Sequence, residues 1–194
     1  MNIFIVYAHP SEDSFTRHLR ESFIQGLQSA GHTYVMSDLY KMGFRTDMSE
    51  TEYLREANYI LDEPLPDDVI AEQNKINASD AIVFIYPIFW TEAPAKMVGW
   101  FDRVWTYGFA YGDRRMKQLE KGLVLCVAGN SIKQLKEKGQ YDAMKIIMLG
   151  DRLFDRVKEK EFIVLDSTTK YDMTAREANW NNHLETAFEA GRTL

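Results

Sequence analysis

Two loops of the sequence combine residue types that bind phosphate groups and flat rings. The first loop, residues 7–16, leads from an apolar run into a helical pattern rich in hydroxyl groups. Backbone N–H groups at the start of a helix, together with the side chains of Ser14, Thr16 and His9, can hold a phosphate with little help from lysine. An ordinary helix capped by Ser14 explains the same residues, so both interpretations stay open.

The second loop, residues 86–94, places Phe89 and Trp90 between Pro87 and Pro94. A planar heteroaromatic ring gains from stacking on aromatic and aliphatic side chains, while backbone amides meet its nitrogens and carbonyls. Core packing is the alternative for such residues. The sequence has no glycine-rich dinucleotide fingerprint after its first apolar run and no P-loop, which excludes those two modes of nucleotide binding.

Apolar runs and helical patterns alternate along the chain and predict the elements that position these loops. Strands are predicted at residues 3–6, 33–37, 81–86, 123–127 and 162–165. Helices are predicted at residues 15–29, 66–77, from about 94, 140–157 and 174–190. This alternation favours an α/β fold with a doubly wound, five-stranded parallel sheet, in which ligands bind beyond the carboxyl ends of the strands. Residues 41–65 are the least regular and are expected to form a long surface connection.

Composition and charge narrow the class of protein. The chain has 194 residues, which fit one domain over residues 1–194, and a formal net charge of −6. It has no long basic run, so nucleic acid is not an expected partner. No apolar stretch approaches the roughly 18 residues that span a bilayer, and we expect a cytoplasmic protein without membrane insertion. The single cysteine, Cys126, lies in an apolar run as a core thiol, and no metal site is expected.

Several segments together resemble one family. The opening residues 7–10, with residues 14–15, match that family's phosphate loop. Further matching segments follow in the same order, at residues 71–73, 78–84, 86–90, 93–95, 99–104 and 108–111. They resemble the flavodoxin-fold NAD(P)H:quinone oxidoreductases, which include DT-diaphorase, modulators of drug activity, general stress protein 14 and a potassium-efflux ancillary oxidoreductase. The resemblance implies a flavodoxin-like three-layer sandwich with strand order 2-1-3-4-5.

The resemblance also implies which residues bind a cofactor. The phosphate and ribityl chain of a flavin would be held by His9, Ser14, Phe15 and Thr16. The flavin ring would be lined by Pro87, Ile88, Phe89, Trp90, Ala128, Gly129, Asn130 and Ser131. FMN is favoured and FAD stays open, as does the choice between NADH and NADPH as the hydride donor.

Three residues are expected to serve the reaction itself. Tyr111 would correspond to an aromatic residue that walls the substrate cavity across a dimer, with a surface tyrosine as the alternative. Many family members carry Thr-Thr-Gly-Gly after the fourth strand, with a tyrosine and a histidine beyond it. This chain has Val-Ala-Gly-Asn at residues 127–130 and no histidine nearby. Negative charge on a reduced ring would then fall to backbone N–H groups and Asn130, and Tyr141 is a candidate for the tyrosine.

The activity implied by the resemblance is hydride transfer from NAD(P)H through a bound flavin to a quinone or a similar acceptor, in a ping-pong sequence. The aromatic residues between Trp100 and Tyr111 predict a homodimer, because they exceed what one helix and its loop need for a monomer core. A flavoprotein subunit that regulates a membrane transporter is the alternative function. Glu92, beside the ring loop, is expected either to face solvent or to act on the ring.

Overall fold

The computed structural model describes residues 1–194 and is organised around one parallel sheet. Its strands are β1 (Asn2–Tyr7), β2 (Thr33–Asp38), β3 (Ala81–Pro87), β4 (Leu119–Val127) and β5 (Val157–Leu165). They lie in the order β2-β1-β3-β4-β5 and pair in parallel throughout. The predicted flavodoxin-like architecture and strand order are confirmed. β4 and β5 both begin several residues earlier than the sequence patterns predicted.

Helices cover both faces of the sheet. They are α1 (Phe15–Ser29), α2 (Glu50–Ala57), α3 (Asp67–Asn77), α4 (Ala95–Val104), α5 (Ile132–Glu137), α6 (Gln140–Lys145) and α7 (Met173–Arg192). Side chains of a strand alternate between the two faces. Ile3 and Ile5 therefore join the apolar cluster of α1 and α7, whereas Phe4 and Val6 join the cluster that contains Trp100 of α4. None of the helices has an apolar stretch long enough to cross a membrane.

The segment 41–65 is not the irregular connection that its composition predicted, because it contains α2. The Ser49 hydroxyl accepts from the N–H of Glu52, and the Glu52 carboxylate accepts from the N–H of Ser49, which forms a capping box. The sequence carried this signal as a serine followed three residues later by a glutamate. Arg103 of α4 then donates to Glu52 at 2.8 Å and joins α2 to the main body.

The helix predicted over residues 140–157 begins at the right residue but ends too late. α6 begins at Gln140, the chain continues as a π-helical segment (Ile146–Arg152), and β5 begins at Val157. The short helix α5, which precedes Gly139 at φ 70°, was not predicted. Apolar side chains such as Met144 and Met148 face the core on both sides of the change to the π-helical segment, so the apolar pattern does not show it.

Helices α1 and α7 cross at close range because each presents a glycine to the other. A Cβ atom on Gly26 would lie 2.0 Å from the carbonyl oxygen of Phe188, and one on Gly191 would lie 2.2 Å from that of Phe23. No other residue type fits at this crossing. The contact places the first turns of α7 beside the loop that precedes α1.

Candidate functional site

The site lies at the carboxyl edge of the sheet, as a doubly wound topology predicts. The hydrogen-bond ladder continues past the strands through Ala8, Ile88 and Ala128, whose N–H groups donate to the neighbouring strand at 3.1, 2.8 and 2.9 Å. The loops after β1, β3 and β4 therefore leave the sheet side by side. Two cavities open between these loops, and Ile88 and Gly129 line both of them.

The first cavity has a volume of about 510 Å³ and lies at the start of α1. The predicted cofactor residues that line it are His9, Ser14, Phe15, Thr16, Pro87, Ile88, Phe89 and Gly129. Ser14 is the N-cap of α1, and its hydroxyl accepts from the N–H of Arg17 at 3.2 Å. The N–H groups of Phe15 and Thr16 donate to no acceptor in the chain. The cavity therefore has free donors at the positive end of a helix, which favours an anion.

His9 is placed to make one further hydrogen bond. The N–H of Ser11 donates to its Nδ1 at 2.9 Å. Burial lowers the pKa of His9, although its contact with the Ser11 backbone acts in the opposite direction. Nδ1 also lies 3.0 Å from the carbonyl oxygen of Ser11, so the Ser11 backbone fixes the orientation of the ring. The other ring nitrogen, Nε2, has no partner in the chain and is free to meet a ligand.

Cationic and aromatic residues from α7 and the loop before it complete the first cavity, and the sequence analysis missed them. Arg176 donates to the carbonyl oxygen of Thr168 at 2.5 Å, and its guanidinium lies 5.1 Å from the centre of the Trp180 ring. Trp180 in turn lies 4.2 Å from the Phe15 ring, and Lys170 also lines the cavity. The rule that ligands bind at the carboxyl ends of strands applies to β5 as well, so it could have pointed to residues 166–176.

The ring loop after β3 is a tight turn of unusual composition. The N–H of Phe89 donates to the carbonyl oxygen of Glu92 at 2.8 Å, and the reverse bond is 3.0 Å long. Trp90 and Thr91, at the two central positions, have φ values of 52° and 66°. Bulky and β-branched residues rarely adopt this left-handed region, so contacts around the turn must hold it there. The turn leaves the Trp90 side chain fully exposed at the cavity rim.

Two side chains from beyond β4 hold the turn in place. The guanidinium of Arg152 donates to Oε1 of Glu92 at 3.0 Å, and the same oxygen accepts from the N–H of Ala93 at 2.7 Å. Gln140 donates to the Thr91 hydroxyl at 2.7 Å. Glu92 is therefore paired with Arg152 and is not simply exposed to solvent, which was one of the two alternatives predicted for it.

The second cavity, of about 540 Å³, lies on the α5 and α6 side of the same edge. The predicted residues that line it are Ile88, Trp90, Ala128, Gly129 and Asn130. The N–H groups of Gly129 and Asn130 donate to no acceptor in the chain. Ser131 lines neither cavity; it caps α5 through a bond from the N–H of Gln134 at 3.2 Å.

Tyr111 and Tyr141 lie outside both cavities. The hydroxyl of Tyr111 donates to Glu56 at 2.7 Å, and burial and this carboxylate both raise its pKa. Tyr141 packs against Phe162 at 5.7 Å between ring centres. Of the three residues expected to serve the reaction, the chain brings only Asn130 to a cavity, and the roles of all three stay predictions.

The aromatic stretch before Tyr111 is mostly used inside this chain. Trp100, Phe101 and Phe109 are buried, and Trp105 packs against the same core. The surplus of aromatic residues on which the homodimer prediction rested is therefore small. The homodimer itself stays a prediction.

A doubly wound parallel sheet of order 2-1-3-4-5, with an anion cradle at α1 and an aromatic loop after β3, defines a flavodoxin-like protein. The family model described as having a flavodoxin-like fold matches residues 1–180. The chain belongs to this family, which confirms the predicted fold family.

Relatives and solved structures agree with that assignment. NAD(P)H dehydrogenase (quinone) 1 of Rattus norvegicus is 32% identical over 74% of this chain and 59% of its own length. An uncharacterized NAD(P)H oxidoreductase of Haemophilus influenzae is 32% identical over 92% of this chain and 90% of its own. The solved NAD(P)H:quinone oxidoreductase of Methanothermobacter marburgensis is 45% identical, with a TM-score of 0.92 over 100% of this chain and 96% of its own.

The matched lengths differ among these proteins. The chain spans between 46% and 59% of the first three curated relatives, which include the rat enzyme. The resemblance to NAD(P)H:quinone oxidoreductases inferred from the motifs is confirmed by the names of these relatives.

Proposed function

We propose that this chain is a flavin-dependent NAD(P)H:quinone oxidoreductase. The observation that carries the proposal is the pair of cavities joined at Ile88 and Gly129. One cavity offers free N–H donors and cations, and the other offers aromatic surface. Those are the two environments that a phosphate-bearing flat ring and its reaction partners require. The similarity to the quinone oxidoreductases of rat and Methanothermobacter marburgensis supports it.

The residues of the first cavity fit the phosphate end of a flavin. The N–H groups of Phe15 and Thr16 are donors without an acceptor in the chain, and Nε2 of His9 has no partner there. Lys170 and Arg176 supply positive charge at the same cavity. A cavity of about 510 Å³ is of the size usual for cofactor sites, at roughly 300–1,000 Å³.

Bound flavin supplies the hydride chemistry between NAD(P)H and the acceptor. The chain positions the ring and stabilises charge. The turn at Trp90 and Thr91 forms one edge of the ring site, and it is held by Arg152 and Gln140. The free N–H groups of Gly129 and Asn130 would take the place of the missing histidine as donors toward negative charge on the ring.

We propose FMN as the cofactor, because the free donors at α1 suit a single terminal phosphate. The test is to release the cofactor from purified protein by heat and to identify it by mass. FMN is the expected result. FAD would contradict this choice and would give Arg176 and Trp180 a role toward the second phosphate and the adenine.

Steady-state kinetics test the proposed activity. With NAD(P)H and a quinone varied together, a single shared site for donor and acceptor predicts parallel reciprocal plots. Arg176→Gln is expected to lower flavin affinity while the folded protein persists, since Arg176 lines the first cavity but not the core. Absence of any quinone reduction by flavin-loaded protein would contradict the proposal. No residue of the site favours the transporter-regulating alternative.

A further inference from the structure

Lys138 gives the second cavity a positive charge that the proposed function does not require. Lys138 is the only charged residue among those that line it. The lysines that pair with a carboxylate in the chain are Lys75, Lys117, Lys133 and Lys158. Lys138 is absent from that set, so its charge at the cavity has no protein counter-ion.

The free backbone groups of this cavity are N–H donors, which also carry partial positive charge. The N–H groups of Gly129 and Asn130 have no acceptor in the chain, whereas the carbonyl oxygens of Ala128 and Asn130 accept from the loop after β5. The carbonyl oxygen of Ala128 receives both the N–H and the hydroxyl of Thr168, at 3.1 and 2.9 Å. The loop after β4 therefore presents two free N–H groups, which the proposed function assigns to the flavin ring, and this leaves the charge of Lys138 to a second ligand.

Two aromatic side chains at the rim have nothing packed on them. Trp90, from the turn after β3, and Tyr171, from the loop after β5, are fully exposed and both line the cavity. Ile88 and Leu135 add apolar surface to its lining. Exposed aromatic faces beside an apolar surface favour a flat ring, and the unpaired charge of Lys138 favours negative charge on it.

We propose that the second cavity takes a planar acceptor that carries a negative charge, such as a sulfonated or carboxylated quinone, and that Lys138 selects for that charge. This inference rests on the proposed function, since it names the class of acceptor that the enzyme prefers. Lys138 acts as a specificity-determining residue, and the ring chemistry does not depend on it.

Calorimetric binding without NAD(P)H is the direct test. The protein as purified is titrated with a naphthoquinone sulfonate and, separately, with the neutral methylnaphthoquinone. Lys138→Gln is expected to weaken binding of the sulfonate about fivefold, the upper range for a solvent-exposed ion pair, and to change binding of the neutral ring less than about twofold. Lys138→Arg keeps the charge and is expected to restore the preference.

Lys133→Gln is the matched control. It removes the same charge from α5, but its side chain is 85% exposed and lines neither cavity. No change in the preference is expected. An equal loss in Lys133→Gln would mean that the overall charge of the protein acts, and equal losses for both ligands in Lys138→Gln would mean a structural effect. Either result overturns the inference.

Turnover separates this inference from the proposed function. The ratio of kcat/KM for the sulfonate to that for the neutral quinone is expected to fall in Lys138→Gln and to fall with added salt in wild type. Unchanged ratios with normal turnover would overturn the inference and leave the function standing. Charge-selective binding without any turnover would support the inference about Lys138 and contradict the proposed function. A shift of the flavin midpoint potential with unchanged selectivity would mean that Lys138 acts on the flavin, which also overturns the inference.

Discussion

Ser14 has a structural role and a proposed binding role at one position, and the two are separable by experiment. Its hydroxyl caps α1, and it lines the first cavity. Ser14→Ala is expected to lower the free energy of unfolding by about 1 kcal/mol and to weaken flavin binding about tenfold, because a hydrogen bond near a charged phosphate is lost. Urea unfolding and fluorescence titration with the released flavin measure the two effects.

Ser49→Ala is the control for the capping effect. Ser49 caps α2 in the same way but lines neither cavity. Its substitution is expected to reduce stability by a similar amount and to leave flavin affinity unchanged. Equal flavin affinities in the two variants would remove Ser14 from the proposed phosphate site.

Glu52 makes the stability of the α2 attachment depend on pH. Burial alone would raise its pKa, but hydrogen bonds from Ser49, Arg103 and Arg45 outweigh burial and lower the pKa from 4.5 to about 2. A carboxyl group whose pKa is lower in the folded state stabilises the fold above its unfolded pKa and loses this effect as pH falls. The contribution, of about 2 kcal/mol, should disappear between pH 4.5 and about 2.

Urea unfolding across that pH range checks the assignment. Glu52→Gln is expected to be less stable than wild type at neutral pH and to show a shallower loss of stability on acidification. Glu120→Gln is the control, since Glu120 forms only an exposed pair with Lys158, and its substitution should change stability by less than about 0.5 kcal/mol. Parallel pH profiles for wild type and Glu52→Gln would contradict the assignment.

At the scale of elements, the crossing of α1 and α7 connects packing to the site. Gly26→Ala would gain about 1 kcal/mol from helix propensity, but its Cβ atom meets the backbone of Phe188. A net loss of about 2 kcal/mol is expected, together with weaker flavin binding because α7 carries Arg176 and Trp180. Thermal unfolding and flavin titration measure both.

Gly150→Ala provides the comparison for that substitution. A Cβ atom on Gly150 would meet only a side-chain methyl of Ile146, at 3.8 Å. The Gly150→Ala variant is expected to be as stable as wild type or more stable. If Gly26→Ala were as stable as Gly150→Ala, the close crossing of α1 and α7 would be contradicted.

The sequence predicted the strands more reliably than the helices for a physical reason. β1, β3 and the carboxyl half of β4 are buried on both faces, so nearly every residue in them is apolar. The change from α6 to the π-helical segment was hidden because Met144 and Met148, on its two sides, both face the core. α2 was hidden because it is short and polar, and only its capping box marks it.

The candidate site was predictable where it follows the strands directly and less so where it depends on tertiary contacts. His9, Ser14 and Phe89 lie in loops that the topology brings together, and they line the first cavity as expected. Arg176 reaches the same cavity only because α7 crosses α1 at two glycines. Lys138 reaches the second cavity because α5 ends there, and no spacing rule in the sequence connects either residue to the loops.

At the scale of the whole molecule, an exposed apolar surface near Tyr111 fits the predicted homodimer. Tyr53, Leu54, Tyr59 and Leu61, from α2 and the residues after it, are all substantially exposed. Light scattering of the wild-type protein is expected to give twice the mass of the chain. If the Tyr59→Ser variant gives a lower mass under the same conditions, the dimer interface includes this surface. A monomer at all concentrations would leave the proposed role of Tyr111 without support.

The measurement that tests the central claim most directly is an absorbance spectrum of the purified protein, recorded without oxygen before and after addition of NADPH or NADH. A protein that binds flavin at the two joined cavities should show the absorbance bands of oxidised flavin. These bands should bleach on addition of the nicotinamide and return when a quinone is added. A colourless protein that takes up neither FMN nor FAD would contradict the proposed function.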